Sequence, residues 1–236
     1  MGEVTDVRLF LTPDHPCSYL PDRRARTLFV SPELSIDSAL QSALSRVGFR
    51  RSGEYLYRPQ CDACRACVPT RIAVARFQPN RRQRRAKRRN ADLRVELIAA
   101  TRNDALYQLY ASYIRKRHTD GDMNPPSPSQ FDSFLIGTWS KTMMLTAYKD
   151  DALVAVGVID LLDDGVSAVY TFFDPGASQR SLGTFMVLTE IELARTLALP
   201  YLYLGYWIEG CEKMNYKAEY GPQERLQQSG WKEIAT

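Results

Sequence analysis

The stretch that decides the fold is residues 143–204, MMLTAYKDDALVAVGVIDLLDDGVSAVYTFFDPGASQRSLGTFMVLTEIELARTLALPYLYL. It contains three β-rich runs joined by short polar turns: Met143 to Tyr148, Leu153 to Leu161 and Val166 to Phe173. Runs of strand-forming residues that are joined so closely pair with their neighbours in the sequence. These residues therefore predict an antiparallel meander.

A helix and a returning strand follow the meander. Ser181-Leu182-Gly183-Thr184 opens an apolar pattern of helical spacing that stops before Pro200, which predicts a helix of about fifteen residues. Tyr201 to Leu204 predicts a strand that crosses back beside the meander. This order of elements is the core of the Gcn5-related acyltransferase fold. We therefore expect an α/β (α+β) protein whose C-terminal domain is acyltransferase-like.

The first part of the chain predicts a smaller α/β unit. Ser35 is placed as the N-cap of an amphipathic helix whose apolar residues continue to Val47. Residues 49–58 predict a hairpin around Ser52-Gly53, and Arg71 to Val74 predicts a strand. Three parts are expected: an N-terminal domain at 1–78, a basic connector at 79–92 and a catalytic domain at 93–236.

Three further elements are predicted between the connector and the meander. Leu93 to Ile98 predicts a strand, and the apolar residues between Leu106 and Ile114 predict a helix. Residues 118–128, which include Asp120-Gly121 and Pro125-Pro126, predict a loop.

The composition is that of an ordinary globular protein of enzyme size, with 236 residues, 44% of them hydrophobic and 25% charged. No apolar run approaches the roughly 18 to 20 residues of a membrane span. The first residues, MGEVTD, lack the basic start of a secretory signal. We therefore expect a cytoplasmic protein without a membrane partner.

The net charge of +4 comes from one segment. Seven of the nine residues 81–89 are basic, and the rest of the chain holds 24 basic and 27 acidic residues. Such a run neutralises phosphates, or else forms a solvated helix face or a flexible arm. A solvated face usually mixes both signs, so nucleic-acid contact is favoured. The candidate residues are Arg81, Arg82, Arg84, Arg85, Lys87, Arg88 and Arg89.

The cysteines do not suggest a secreted disulfide framework, because five is an odd number and three lie in one tight cluster. Cys61, Cys64 and Cys67 follow a C-x2-C-x2-C spacing, and Cys17 lies in the same half of the chain. These four predict either a zinc or iron–sulfur site or reduced buried thiols.

Six blocks in order give the chain a resemblance that covers nearly its whole length. They are residues 15–21 (HPCSYLP), 48–53 (GFRRSG), 61–67 (CDACRAC), 170–175 (YTFFDP), 181–184 (SLGT), and 203–208 with 211–217 (YLGYWI, CEKMNYK). Together they are similar to the arginyl-tRNA-protein transferase family, and most closely to its bacterial leucyltransferase branch. Each block alone is weak evidence, whereas six in this order are specific.

The resemblance implies an enzyme that conjugates leucine from leucyl-tRNA to the N-terminal Asp or Glu of proteins, which then enter the N-degron degradation pathway. No cofactor is required for this reaction. The choice between a leucyl and an arginyl donor rests on the resemblance alone. Two other functions stay open: an acetyl-CoA-dependent N-acetyltransferase on the same fold, and a non-enzymatic RNA-binding module built on a zinc ribbon.

The turn before the long helix is a candidate anion site. Gln179 to Thr184 aligns with the phosphate-binding turn of acetyl-CoA enzymes, with Thr184 in place of the final small residue. Free N–H groups at a helix start attract anions, so Arg180 and Gly183 are predicted to bind substrate. The alternative is that Gly183 only permits close packing.

The catalytic candidates are polar groups near the meander. An amine that attacks an ester needs positioning and donors for the oxyanion. Asp174 is expected to orient the amine, or else only to form a turn before Pro175. Tyr170 and Tyr206 are expected to position the ester, with core packing as the alternative. Asp160 lies within an apolar run and is a candidate for substrate binding, because an Asp there needs a partner or a function.

The acidic side chain of the acceptor requires a cation. Lys213 and Lys217 are four apart and would share a face if residues 212–218 form a helix, and Arg117 is the alternative. Either lysine would otherwise point to solvent. His118 is a candidate base, because basic neighbours would lower its pKa and favour the neutral form, but contact with phosphate or a structural role is the favoured interpretation.

Overall fold

The computed structural model describes residues 7–119, 121 and 123–234. The N-terminal residues on which the leader prediction rests, and Asp120 of the predicted loop, lie outside these ranges. The helices are α1 (Ser38–Arg46), α2 (Arg81–Arg89), α3 (Asp104–Arg117), α4 (Pro128–Leu135), α5 (Leu182–Thr196) and α6 (Glu212–Asn215), with single turns of 3-10 helix at Ser178–Arg180 and Tyr216–Glu219.

The strands form three sheets within the described ranges. They are β1 (Leu9–Leu11), β2 (His15–Pro16), β3 (Arg24–Ala25), β4 (Thr27–Val30), β5 (Arg50–Ser52), β6 (Tyr55–Pro59), β7 (Cys67–Ala73), β8 (Arg94–Ala99), β9 (Thr142–Lys149), β10 (Ala152–Leu162), β11 (Gly165–Phe173), β12 (Tyr201–Ile208), β13 (Gln223–Gln227) and β14 (Gly230–Ile234). The largest sheet has eight strands in the order β14-β13-β7-β12-β11-β10-β9-β8.

The predicted acyltransferase core order is present. Strands β9, β10 and β11 pair antiparallel as a meander. Helix α5 follows, and β12 returns parallel to β11. Helix α5 covers one face of the sheet, with Met186 and Ile191 fully buried, while α3 and α4 cover the other, with Tyr110 and Phe131 fully buried. The prediction of an α/β (α+β) fold is confirmed.

Strands β11 and β12 separate soon after they meet. They are paired only from Gly165 opposite Tyr201 to Ser167 opposite Tyr203. Beyond this point the register of β12 shifts next to Gly205, whose φ of +83° is a conformation that glycine adopts without strain. A gap therefore opens between the C-terminal halves of the two strands.

Helix α1 forms, but it buries the side opposite to the predicted one. Its N-cap is Asp37, and its buried residues are the polar Gln41, Ser42 and Ser45. The reason is Asp160 in β10, because the Gln41 side-chain nitrogen donates to this buried carboxylate at 2.9 Å. A buried charge that needs donors outweighs the apolar stripe, of which Ile36 and Leu44 are only partly buried.

The N-terminal part also contributes to the large sheet. Strand β7 lies between β13 and β12, so the sheet crosses the expected domain boundary at residue 78. The division into three domains stays a prediction. Among the described helices, none combines the length and hydropathy that crossing a bilayer requires.

Candidate active site

The guanidinium of Arg50 lies in the gap between β11 and β12. One of its nitrogens, Nη2, donates to the Ala168 carbonyl of β11 at 2.5 Å. A side chain at Gly205 of β12 would place Cβ 2.6 Å from Nη1, so the cation lies directly against the backbone of this strand. Nη1 is buried and has no hydrogen-bond partner within the described part of the chain. Arg50 therefore fills the point where the strands part.

Glu190 lies on the α5 side of this gap with both carboxylate oxygens unpaired. The side chain is completely buried, and neither oxygen has a hydrogen-bond partner among the residues described. One oxygen lies against Gly157 of β10, where a Cβ would approach it to 2.9 Å. Burial raises the pKa of Glu190 to about 8, although the charge of Arg50 opposes this shift. The site thus contains a buried acid that holds its proton near neutral pH.

Aromatic side chains form the α3 side of the gap. Tyr170 of β11 lies among Tyr113, Phe134 and His118, with ring centroids 5.3 to 6.5 Å from its own. Its hydroxyl is buried without a hydrogen-bond partner in the described residues, and burial raises its pKa. The predicted candidate Tyr170 is therefore placed at the gap with an unused donor.

The expected cations meet at the end of α3. Burial lowers the pKa of His118, and the charges of Lys213 and then Arg117 lower it further. Arg117 also lies over the ring of Phe173, 5.9 Å from its centroid. Arg117 and His118, which are neighbours in the sequence, thus lie near the distant Lys213 on one side of the gap between β11 and β12, and the gap with its walls is called the cleft below. His118 is favoured there in its neutral form.

Lys213 and Lys217 do not share a helical face, which corrects the prediction. Helix α6 ends at Asn215, and a 3-10 turn follows. Lys213 is exposed, whereas Lys217 is buried and donates to the backbone carbonyl of Tyr206 at 2.7 Å. Burial, followed by the charge of Arg50, lowers the pKa of Lys217 to about 7. Its ammonium is therefore already engaged by the end of β12.

The polar groups of three other candidates bind within the protein. The Tyr206 hydroxyl lies 2.8 Å from the Gly48 carbonyl. Asp174 accepts from the backbone N–H of Gly176 at 2.8 Å, which is the turn-forming alternative. Asp160 accepts from Arg51 at 2.7 and 3.0 Å and from the Thr142 hydroxyl at 2.7 Å. Since its oxygens are saturated by buried donors, Asp160 is no longer a substrate-binding candidate.

In the predicted anion-binding turn, the arginine is already ion-paired, and the start of the following helix has no side-chain cap. Arg180 forms a two-pronged ion pair with Asp92 at 2.9 and 2.8 Å. Ser181, the residue before α5, is in the left-handed conformation and makes no side-chain capping bond. Gly183 lies beside Phe173, where an added Cβ would come within 3.4 Å of the ring. Anion binding by Arg180 and Gly183 stays a prediction.

The basic run forms helix α2, as predicted. Asn80 and Gln83 make a reciprocal capping box at its start. All seven basic residues are exposed, and the helix packs through Gln83, Ala86 and Asn90. Arg82 pairs with Glu219 and Lys87 with Glu192. For the other five, no carboxylate partner is found in the described ranges. The outer face of α2 is therefore a concentrated positive surface.

The structure brings Cys17, Cys61, Cys64 and Cys67 near one another, but in the described residues it does not arrange them to hold a metal ion. Burial, and then Cys17, Cys61 and Cys64, raise the pKa of the Cys67 thiol to about 12. In the described portion of the chain, no three His, Cys, Asp or Glu side chains are placed to hold a metal ion.

The sequence analysis missed four residues of the cleft: Arg50, Tyr113, Glu190 and Tyr216. A signal existed for Glu190, since it stands four residues from Met186 and from Ala194 on the buried side of α5. A carboxylate in an apolar stripe requires a partner or a function. The other three had no comparable signal, because their positions depend on how the N-terminal unit and the segment after β12 pack.

The arrangement combines features suited to transfer between an ester and an amine. A neutral hydroxyl, two exposed cations and a buried acid surround one gap, and a positive helix lies beside it. Backbone and hydroxyl donors stabilise a tetrahedral oxyanion, and a carboxyl group whose pKa is near that of an amine exchanges protons with it.

Comparison with known proteins gives two family models and several full-length relatives. The models described as arginine-tRNA-protein transferase, N terminus, and arginine-tRNA-protein transferase, C terminus, match residues 15–85 and 105–227. An aspartate/glutamate leucyltransferase of Marinobacter nauticus is 51% identical over 236 residues, covering 100% of both chains. One of Alcanivorax borkumensis is 52% identical over 233 residues, covering 99% of this chain and 96% of the relative.

Solved structures give a weaker likeness. The C-terminal domain (DUF2156) of a putative lysylphosphatidylglycerol synthetase from Agrobacterium fabrum aligns with a TM-score of 0.46 and 14% identity over 61% of this chain and 47% of that one.

Proposed function

The chain belongs to the arginine-tRNA-protein transferase family and is an aminoacyltransferase, and we propose that it transfers leucine from leucyl-tRNA to the N-terminal Asp or Glu of proteins. The acceptor would thereby gain an N-terminal leucine, and we propose that this marks it for degradation by the N-degron pathway. Such a reaction takes place where charged tRNA is present, which makes the cytoplasm the proposed location.

One observation supports the proposed tRNA contact: helix α2 is hydrogen-bonded to segments on both sides of the cleft. Gln83 donates to the Glu219 carbonyl after β12 at 3.0 Å, and Asn90 donates to the Arg180 carbonyl before α5 at 2.8 Å. A tRNA backbone held on the exposed face of α2 is thus held next to the gap. Phosphate contacts from Lys and Arg fix the register of a nucleic acid without reading its sequence.

For the acceptor, Arg117 and Lys213 are the proposed partners of the acidic side chain. Both are exposed, and no ion pair engages either one within the described residues. They lie on the same side of the cleft as His118, and their charges lower its pKa. A site that pairs a carboxylate with a cation rejects Asn and Gln, which leave that cation unpaired.

At the reacting bond, Tyr170 is the proposed donor to the ester carbonyl. Its hydroxyl is buried and unpaired, so it gains a hydrogen bond when an oxyanion forms beside it. Burial raises its pKa, which keeps it a hydrogen-bond donor at all physiological pH values. Asp174 stays a proposal only as the residue that shapes the turn at the end of β11.

A direct test is to incubate the protein with leucyl-tRNA and peptides that begin with Asp, Glu, Asn or Gln, and to follow the peptide mass. The expected result is one added leucine on the Asp and Glu peptides alone. Arms with arginyl-tRNA and with acetyl-CoA test the two competing donors. Transfer of an acetyl group, with none from charged tRNA, would overturn the proposal.

A zinc or iron–sulfur group at Cys17, Cys61, Cys64 and Cys67 remains a separate proposal. The residues are near one another but do not form a ligand set in the described structure, and no step of the proposed reaction runs through a metal. Elemental analysis of anaerobically purified protein tests it, and a content of zinc and iron well below one atom per chain would reject it.

A further inference from the structure

Glu190 is the strongest unexplained polar group of the cleft. It is fully buried at the centre of α5, and both of its oxygens are unpaired in the described part of the chain. An unpaired buried polar group costs folding free energy. Where a natural protein keeps one, a ligand or a reaction that uses it is a leading explanation. An apolar residue such as Met would avoid this cost.

The surroundings of Glu190 point toward the gap. Arg50, inside the gap, is close enough for its charge to act on the pKa of Glu190. Glu190 in turn raises the pKa of Tyr216 and of Tyr220, each of which is raised first by burial. Tyr216 belongs to the segment after β12, and its pKa reaches about 12 although 45% of the residue is exposed. Tyr216 therefore lies close enough to Glu190 and Arg50 for their charges to act on its pKa.

The charge that acts on Glu190 is not a fixed counter-ion. Arg50 donates to the Ala168 carbonyl instead of to the carboxylate. Gly157 lets one Glu190 oxygen pack against the backbone of β10, where any side chain would collide with it, and this backbone supplies no hydrogen bond to the oxygen. A second cation is therefore the partner that this position lacks, and the acceptor's N-terminal ammonium is a cation that the proposed reaction brings to the cleft.

We propose that Glu190 binds the N-terminal ammonium of the acceptor protein and takes a proton from it, which makes Glu190 a catalytic residue. The inference rests on the proposed function and deepens it. An α-amino group has an unperturbed pKa near ~8, so at neutral pH most of it is protonated and not nucleophilic. The free site favours protonated Glu190, but an ammonium bound beside it favours the carboxylate form. That carboxylate then takes a proton from the ammonium and supplies the neutral amine inside the cleft.

The step balances without a further reactant. The ammonium passes one proton to the Glu190 carboxylate, and the freed lone pair on nitrogen bonds to the ester carbonyl carbon. The bond from that carbon to the ribose oxygen then breaks, and a second proton of the nitrogen moves to the leaving oxygen. The products are the new peptide bond, the free ribose hydroxyl of the tRNA and protonated Glu190, which returns its proton to water.

The test is Glu190→Gln, which keeps the shape of the side chain but can neither carry the charge nor take the proton. We expect kcat for leucine transfer to an Asp peptide to fall by about 100-fold, the lower end of the range for general acid–base catalysis. The Michaelis constant for leucyl-tRNA should stay within about twofold. The deficit should shrink between about pH 7 and about pH 9, because the amine loses its proton unaided there.

A structural role predicts a different outcome. If Glu190 only supported the fold, Glu190→Gln would lower the melting temperature and leave the pH dependence unchanged. The proposal instead predicts lost activity with a melting temperature near neutral pH that stays close to the wild-type value, since Gln is a neutral side chain of the same shape as the protonated carboxyl group. Glu192→Gln is the matched control: it lies on the same helix, half exposed, and pairs with Arg195, and it should keep wild-type kcat.

Two results would separate the failures. If the wild-type protein transfers leucine and Glu190→Gln matches its kcat at every pH, the role of Glu190 is overturned while the proposed function stands. If the wild-type protein transfers no leucine to Asp or Glu peptides, the proposed function itself has failed, and the role proposed for Glu190 fails with it.

Discussion

Arg50 and Arg51 are neighbours in strand β5, yet their surroundings are opposite. Arg51 is buried and makes two bonds to Asp160, at 2.7 and 3.0 Å, and a third to the Gly53 carbonyl at 3.1 Å. Arg50 points to the other face of the strand, where Nη1 is unpaired and the nearby acid, Glu190, is unpaired as well. Arg51 and Asp160 form a closed site, because their buried charges are paired with each other. Arg50 and Glu190 form an open site, because Nη1 and both carboxyl oxygens have no partner among the described residues.

The difference separates two uses of buried charge. Asp160 receives donors from Arg51, Gln41 and Thr142, so it joins β5, α1 and the meander into one packed unit. A closed network of this kind is costly to break and has no capacity left for a ligand. Arg50 and Glu190 keep such a capacity, because Nη1 of Arg50 and both oxygens of Glu190 have no hydrogen-bond partner among the described residues.

The largest expected effect tests the closed network. Arg51→Met leaves the Asp160 carboxylate buried without its ion-pair partner, and we expect a loss of about 3–5 kcal/mol in the free energy of unfolding. Arg51→Met with Asp160→Leu removes both charges and should recover more than half of that loss. Urea denaturation monitored by circular dichroism measures both. A loss below about 1 kcal/mol in the single variant would mean that the two sites do not differ as described.

The second prediction concerns the pH dependence of the free energy of unfolding, which two buried groups near Arg50 should control: Glu190 and Lys217. The pKa of Glu190 is raised from 4.5 to about 8, so the folded chain binds the extra proton, and unfolding becomes easier as pH rises through this window. The pKa of Lys217 is lowered from 10.5 to about 7, so the unfolded chain binds the extra proton, and stability rises with pH from 7 to 10.5.

Each group should contribute a slope of about 1.4 kcal/mol per pH unit, of opposite sign. Compared with the wild-type protein, Glu190→Gln should lose the fall below about pH 8, and Lys217→Met should lose the rise above about pH 7. Denaturation curves at several pH values give both slopes. Parallel curves for the wild-type protein and the variants would show that neither group is perturbed.

The sequence predicted the meander, α2, α5 and the crossover strand because their patterns are local. It did not predict α4, whose start at Ser127-Pro128 looks like part of a proline-rich loop until Phe131 and Leu135 are seen to be buried. The sequence also predicted that α1 buries its apolar side, whereas the residues that are fully buried are polar. In both cases the deciding contact comes from a residue far along the chain, such as Asp160.

The candidate site was less predictable for the same reason. Tyr170, Arg117, His118 and Lys213 were selected by motif or chemistry and do lie around one cleft. The open or closed state of a charged group, however, depends on its partners. No pattern in the sequence distinguishes Arg50 from Arg51 or shows that the Tyr206 hydroxyl is turned to the Gly48 carbonyl.

The third prediction compares paired and unpaired basic side chains on helix α2. If five to seven phosphates are contacted, log affinity for leucyl-tRNA should fall with log salt at a slope of roughly −4 to −6. Arg85→Gln with Arg88→Gln removes two unpaired charges and should reduce the steepness by about 1.5 and the affinity by about tenfold. Filter binding at several salt concentrations measures the slope.

The matched control removes two paired charges from the same helix. Arg82→Gln with Lys87→Gln changes the net charge equally, but these residues pair with Glu219 and Glu192. The change in slope should be less than half as large. Equal changes would indicate that only net charge matters, and an unchanged slope in both variants would make α2 a solvated face.

The smallest expected effect concerns Arg117 and Lys213, because both are exposed and solvent screens their charges. Arg117→Met and Lys213→Met keep the apolar stems and remove the charges. Each should lower kcat/KM on Asp and Glu peptides by about tenfold, close to the value of one charge-assisted hydrogen bond, and reduce the preference over Asn and Gln peptides. Affinity for leucyl-tRNA should not change. Lys116→Met, also exposed on α3 but absent from the charges that act on His118, is the control and should retain wild-type selectivity. If both variants keep wild-type selectivity too, Arg50 becomes the remaining cation of the cleft that can receive the acidic side chain, and the open site would then bind both ends of the acceptor residue.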